Sequence, residues 1–219
     1  MRLPSRSEGL DPARRIAALG GALGVSCFVG AWVVGGALRP GYDPVNTAIS
    51  ELAASGTDHR YLMTGGFVLF GAGVGMYSWA LRSASCSAAW LAASIAALAS
   101  FGVAAAPLGA HDTLHVVAAA TGYVALAAMP LLAAPALRAA GLRRGAAASV
   151  TCGLLTAALL ASSLLDPAHG ATQRGGLLVA DAWIVVTSLA MWRHGGFEST
   201  ATRSATTADP PTATRRSPI

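Results

Sequence analysis

A chain of 219 residues in which 54% are hydrophobic and only 11% charged departs strongly from soluble proteins, where roughly a quarter of residues are charged. That balance excludes an ordinary soluble domain and places the chain in a bilayer. The formal net charge of +5 does not read as a nucleic-acid footprint, because the arginines sit at the ends of apolar runs rather than along one basic face.

All fifteen basic residues are Arg, which together with the abundance of Ala reads as compositional bias, and no function is drawn from it. Cys27, Cys86 and Cys152 fall within or beside apolar runs, form no zinc-type spacing and are odd in number. They read as small packing residues rather than a disulfide framework.

The first apolar run, Ile16 to Leu38, follows Arg14 and Arg15. A signal-peptide core is about 7–15 residues, whereas this run reaches the roughly 20 that a span needs. Cleavage after the small residues near Ala37 is the alternative. Next comes the longest polar interruption between apolar runs, Pro40 to Arg60. Asp43 before Pro44 is a helix-start signal, and Val45, Ile49 and Leu52 then recur at helical spacing. The expectation is a short amphipathic helix at the membrane surface, running from Asp43 to Leu52.

Five further runs follow: Tyr61 to Leu81, Ala88 to Ala106, Thr113 to Leu137, Ala146 to Leu165, and Leu177 to Trp192. Each approaches the length that crosses a hydrocarbon core about 30 Å thick as a helix. The last is shortest and carries Asp181. Pro130 and Pro135 should kink the end of the fourth span. Gly20 with Gly24, and Gly71 with Gly75, form small faces that suit tight packing within one bundle rather than a dimer seam. The predicted fold is therefore an all-α membrane protein, a bundle of six transmembrane helices spanning residues 14–193. A short tail precedes it (1–13) and a Ser-, Thr- and Pro-rich disordered tail follows (194–219).

With the N-terminus inside, twelve arginines lie on the inner side and only Arg39, Arg60 and Arg174 on the outer. This asymmetry predicts a multi-pass plasma-membrane protein with both termini cytoplasmic. Four of the five histidines and six of the ten acids then gather outside, in a polar cup formed by the first, third and fifth connections, with the first loop as its lid.

Within the cup, His111-Asp112-Thr113-Leu114-His115 places two histidines four apart on one helical face, as metal-binding pairs are placed. A divalent metal such as zinc would have His111, His115, Asp166 and His169 as candidate ligands, with Glu51 or Asp112 as the catalytic base of a lipid hydrolase. The bland reading has Asp112 capping the fourth span and His115 hydrogen-bonded within the bundle, its expected partners being Glu51, Asp166 or Asp181. Asp181 lies about a turn inside the sixth span, where a carboxylate needs a partner; Arg174, two turns earlier, is the candidate. A substrate or ion contact, as in a small transporter, is the other reading. The candidate ligand-binding residues are Asp43, Ser50, Glu51, His115, Arg174 and Asp181, for a lipid headgroup or small polar ligand. No Gly-x-Ser-x-Gly elbow, phosphate loop or dinucleotide fingerprint is present, so a serine nucleophile would rest on Ser50 alone.

The segment YDPVNTAISELAASGTDHRYLMTGGFVLFGAG, the His115 region and the HGATQRGG stretch together resemble the uncharacterised six-span prokaryotic membrane family catalogued as domain of unknown function nine-nine-eight. The resemblance covers about Ile16 to Trp192. Its most specific parts are Ile49-Ser50-Glu51-Leu52, His115, and Gly170 through Arg174. It implies a six-helix membrane domain and carries no activity, substrate or cofactor.

Overall fold

The computed structural model describes residues 10–84, 87–163, 165 and 168–195. Cys86, Asp166, Pro167, most of the N-terminal tail and the polar C-terminal tail lie outside the described residues. The described residues form six α-helices and the connections between them: α1 (Pro12–Leu38), α2 (Arg60–Ala84), α3 (Ala89–Ala105), α4 (Asp112–Ala139), α5 (Arg143–Ser162) and α6 (His169–His194). No strand occurs among the described residues.

The helix ends follow local chemistry. Asp11 accepts the Arg14 N–H at 3.0 Å with Pro12 at the first helical position, a capped start for α1. At its far end α6 stops on Gly195, whose φ of 71° is left-handed and suits glycine. These two ends meet. Arg15 donates to the Trp192 and Arg193 carbonyls at 2.8–3.0 Å, and the Leu10 N–H reaches the Gly195 carbonyl at 2.8 Å. A cation thus neutralises the negative end of the α6 dipole.

Each helix packs antiparallel on its chain neighbour, and α6 returns to α1 to close a ring. The α1–α2 seam is the closest. A Cβ on Gly73 would lie 2.3 Å from the Gly20 carbonyl oxygen and 2.8 Å from the Gly24 Cα, so only glycines allow this approach. Gly20 and Gly24 therefore face Gly73, while Gly71 packs on Ala97 and Phe101 of α3. Polar bonds pin the other seams: Ser100 to the Phe67 carbonyl at 2.8 Å, Tyr77 with Thr187 at 2.8 Å, and the Trp183 indole to Ser149 at 2.8 Å. In hydrocarbon such groups have no water to turn to.

The perimeter is apolar on every helix, with Ile16, Leu23, Leu69, Leu98, Val124, Leu154 and Val186 all exposed. A surface of that kind belongs against lipid. Four helices, α1, α4, α5 and α6, are long and apolar enough to cross a membrane. The 17-residue α3 is apolar but rises only about 25 Å, short of a core about 30 Å thick.

Two expectations change. The sixth helix begins at His169, eight residues ahead of the apolar run, so it is among the longer helices rather than the shortest. The first connection is not one amphipathic helix. The Thr47 N–H closes a single turn on the Asp43 carbonyl at 2.9 Å, Ala48 is extended with ψ of 150°, and a five-residue 3-10 turn then runs from Ile49 to Ala53. A side chain of α6 instead donates to the Pro44 and Thr47 carbonyls there. Ile49 and Leu52 are buried as the spacing implied, whereas Val45 is exposed.

Candidate functional site at the loop end of the bundle

Antiparallel packing brings three connections to one end of the bundle: residues 39–59, residues 106–111, and the described residues between α5 and α6, 163, 165 and 168. Tyrosine, arginine and glutamine side chains organise them in two distinct ways.

On the α1–α6 side the first connection is clamped. Arg174 is 7% exposed; its Nη1 donates to the carbonyls of Pro44 (2.6 Å), Thr47 (2.9 Å) and Gly170 (2.9 Å), and its Nη2 donates to the Tyr42 hydroxyl. The guanidinium also lies over the rings of Trp32 and Tyr42, at 5.4 and 5.6 Å. Carbonyl dipoles and aromatic faces thus stabilise this cation, and no carboxylate does so among the described residues. Gly170 makes the contact possible, since a Cβ there would lie 2.4 Å from the Thr47 oxygen. The Ala171 N–H adds a bond to the Val45 carbonyl at 2.9 Å, and Tyr42 donates to the Ala48 carbonyl at 3.2 Å. Burial raises the Tyr42 phenol above its ordinary range, outweighing the opposite pull of Arg174. Arg39 completes the clamp through the Glu51 carbonyl at 3.0 Å.

On the α4–α5 side the end is open. Gln173 marks the boundary: its Oε1 accepts the Ile49 N–H at 2.9 Å and its Nε2 donates to the Tyr123 hydroxyl at 2.5 Å. Beyond it, a groove of about 670 Å³ runs between α4 and α5 past Val124, Ala127, Leu131, Ala157 and Leu160. Ser50, His115, Tyr123, His169 and Gln173 border it. A smaller cavity of about 60 Å³, reaching inward to Phe67 and Phe70, shares Ser50, His115, Tyr123 and Gln173 with the groove. His115 is 3% exposed and donates from Nδ1 to the Ala106 carbonyl at 2.7 Å; its Nε2 is buried without a hydrogen-bond partner.

A family model described as a protein of unknown function, DUF998, matches residues 22–190, about three quarters of the chain. The chain belongs to this family. The match encloses the clamp and groove residues named here, except that nothing outside 22–190 is covered. Neither a curated protein nor a solved structure matches the chain.

The structure sorts the candidate residues. Ser50 and His115 come together at the groove, and Arg174 lies beside them but belongs to the clamp. Glu51 is half-buried, and its backbone rather than its carboxylate is held. Asp43 is exposed; its carboxylate takes the Asn46 amide at 2.6 Å and the Val45 N–H at 2.9 Å, which hold it below the usual carboxylate range. It is a local cap. Asp112 is the first residue of α4 and accepts the Gly109 N–H at 2.6 Å, while His111 occupies the cap position with an exposed side chain. No group of three or more His, Cys, Asp or Glu able to hold a metal ion occurs among the described residues; Asp166 lies outside them.

Two partnerships differ from expectation. His115 hydrogen-bonds a backbone carbonyl rather than Glu51 or Asp181, because the end of α3, not an acid, is what packs against it. Arg174 does not pair with Asp181. Its side chain reaches back towards the helix start and the loop, whereas Asp181, 2% exposed, sits two turns deeper with neither carboxylate oxygen hydrogen-bonded. Sequence reasoning missed Tyr123 and Gln173 as site residues. A tyrosine in mid-span was the available signal, since its hydroxyl needs a partner in hydrocarbon.

Proposed function

We propose that this is a multi-pass plasma-membrane protein in which all six helices cross the bilayer, both termini are cytoplasmic, and the outward-facing loop end binds a lipid by its headgroup. The twelve-to-three arginine split supports the orientation, and the 25 residues of α2 are ample for a span. The transmembrane domain then runs over residues 14–193.

The observation that carries the lipid reading is the groove. It is apolar along the α4–α5 seam and polar towards the loop end, where Ser50, His115, His169 and Gln173 border it, with Tyr123 the innermost polar group. An acyl chain matches the first part and a headgroup the second, and about 670 Å³ is within the usual range for small-molecule sites. A wholly polar ligand would leave the apolar length unfilled.

The test is lipid retention. Protein purified in mild detergent is extracted and its co-purifying lipid quantified by mass spectrometry, alongside Ala157→Trp, which fills the groove from α5. The expected result is a defined lipid at near one per chain, lost in the variant while the fold is retained. Equal lipid in both proteins would overturn the reading.

A further inference from the structure

The polar end of the groove has an uneven inventory. Among the described residues that border it there is no Arg, Asp or Glu. The adjacent cation, Arg174, directs both terminal nitrogens to three carbonyls and the Tyr42 hydroxyl, with only its buried Nε unmet. Both functional ends of the Gln173 amide are also engaged, one by Ile49 and one by Tyr123. What remains is the His115 ring, the hydroxyls of Ser50 and Tyr123, and at the outer rim the half-buried His169 ring.

The His115 Nδ1 must carry a proton, because the Ala106 carbonyl facing it at 2.7 Å has only lone pairs. In the neutral ring Nε2 is then an acceptor, and it is buried with no donor. Tyr123 receives the Gln173 amide on its oxygen, so its own hydrogen is available to donate; the Ser50 hydroxyl can donate as well. The His115 nitrogen therefore lacks one donor, while the two hydroxyls beside it offer two. The site provides no fixed positive charge, which an anionic phosphate buried beside apolar helices would need.

We propose that the groove takes an uncharged lipid whose polar end is a free hydroxyl next to an ester, as in a diacylglycerol. This rests on the lipid reading above and names its class. The alcohol donates to His115 Nε2, and an ester carbonyl accepts from Tyr123 or Ser50. A phospholipid fits poorly because its phosphate brings negative charge to a groove bordered by no Arg among the described residues. The small cavity that shares these residues has room for a hydroxymethyl group and not for a large headgroup.

The experiment compares three probes on the full-length protein in detergent, with binding read by ligand-dependent thermal stabilisation. They are dioleoylglycerol, its acetyl-capped counterpart, which lacks the donor, and dioleoylphosphatidic acid. Dioleoylglycerol should bind about tenfold tighter than either of the others, the effect of one buried unmet hydrogen bond. His115→Phe should abolish the preference for the free hydroxyl over the capped form. Tyr123→Phe, which keeps the ring and its packing, should weaken both neutral lipids and leave that preference intact. This second variant keeps the test decisive if the first does not fold. Equal affinity for the free and capped lipids in the unaltered protein would overturn the role of His115. Preference for phosphatidic acid would overturn the uncharged class while leaving the lipid reading standing. Stabilisation by none of the three, with no lipid lost from Ala157→Trp, would overturn both.

Discussion

The two halves of the loop end are built from similar residue types and behave differently. Around Arg174 nearly every polar group is matched: carbonyls of Pro44, Thr47 and Gly170, the Tyr42 hydroxyl, and two aromatic faces surround one guanidinium. Around His115 there is space, and a buried ring nitrogen has nothing to bond. The first half holds the chain in place; the second is where a ligand would improve the hydrogen bonding of the protein. A buried arginine near a membrane surface invites a substrate-binding role, yet here both terminal nitrogens are engaged by loop and helix carbonyls and the Tyr42 hydroxyl, leaving only the buried Nε without a partner. A site is better sought where satisfaction fails than where charge is greatest.

The sharpest way to break this contrast is to remove the guanidinium. Arg174→Leu deprives the Pro44 and Thr47 carbonyls and the Tyr42 hydroxyl of their donor, at about 1–3 kcal/mol for each group left unmet. Thermal unfolding in detergent should show a loss of about 3 kcal/mol or more, with hydrogen-exchange protection falling over residues 42–48. A loss under about 1 kcal/mol with the loop still protected would remove the clamp from the account.

Gly170→Ala should act on the same contact from the other side. Its Cβ would meet the Thr47 and Pro44 oxygens at 2.4 and 2.7 Å, so the loop must lift, at about 1–3 kcal/mol for an overpacked position. Stability should fall less than in Arg174→Leu, with exchange again rising in the first connection.

His115→Gln sharpens the other half of the comparison. One hydrogen bond, to the Ala106 carbonyl, is at stake and glutamine can still donate, so stability should change by about 1 kcal/mol or less. Destabilisation as deep as that of Arg174→Leu would mean that the groove is structural too, and the contrast between the halves would fail.

The smallest effect concerns pH. Asp43 is held below the ordinary carboxylate range, first by the Asn46 amide and then by the Val45 N–H. A depressed folded-state value means that its contribution is complete above the unfolded pKa and disappears as pH falls through the folded one. Exchange at the Asn46 and Thr47 amides should therefore rise under acid conditions, and Asp43→Asn should flatten that dependence. Pro44→Ala, which leaves the carboxylate in place, should keep it.

Much of this architecture was legible in the chain. Helical spans follow from apolar length, because a backbone in hydrocarbon has no alternative to internal hydrogen bonding, and Asp11-Pro12 announces its helix start directly. The start of α6 was not legible. His169-Gly-Ala-Thr-Gln-Arg-Gly-Gly reads as a polar loop by hydropathy, and it is helical because Gly170 admits the first connection while Gln173 and Arg174 bond to it. The opposite error arose at Val45, where helical spacing was real but the chain turns extended at Ala48 and is held to α6 by Arg174 through the Pro44 and Thr47 carbonyls.

By itself, the sequence determined that the chain is helical and apolar, that polar residues collect at the connections after α1, α3 and α5, and that it resembles a family whose model indeed covers residues 22–190. Those properties depend on length, hydropathy and order, which need no partner. Only the tertiary structure decided that Arg174 closes a loop rather than pairing with Asp181, and that His115 bonds a carbonyl while leaving Nε2 unmet beside a groove. Hydrogen bonds between residues more than a hundred positions apart, such as Ile49 with Gln173, are set by how helices pack, and spacing along one helix carries no record of its neighbour.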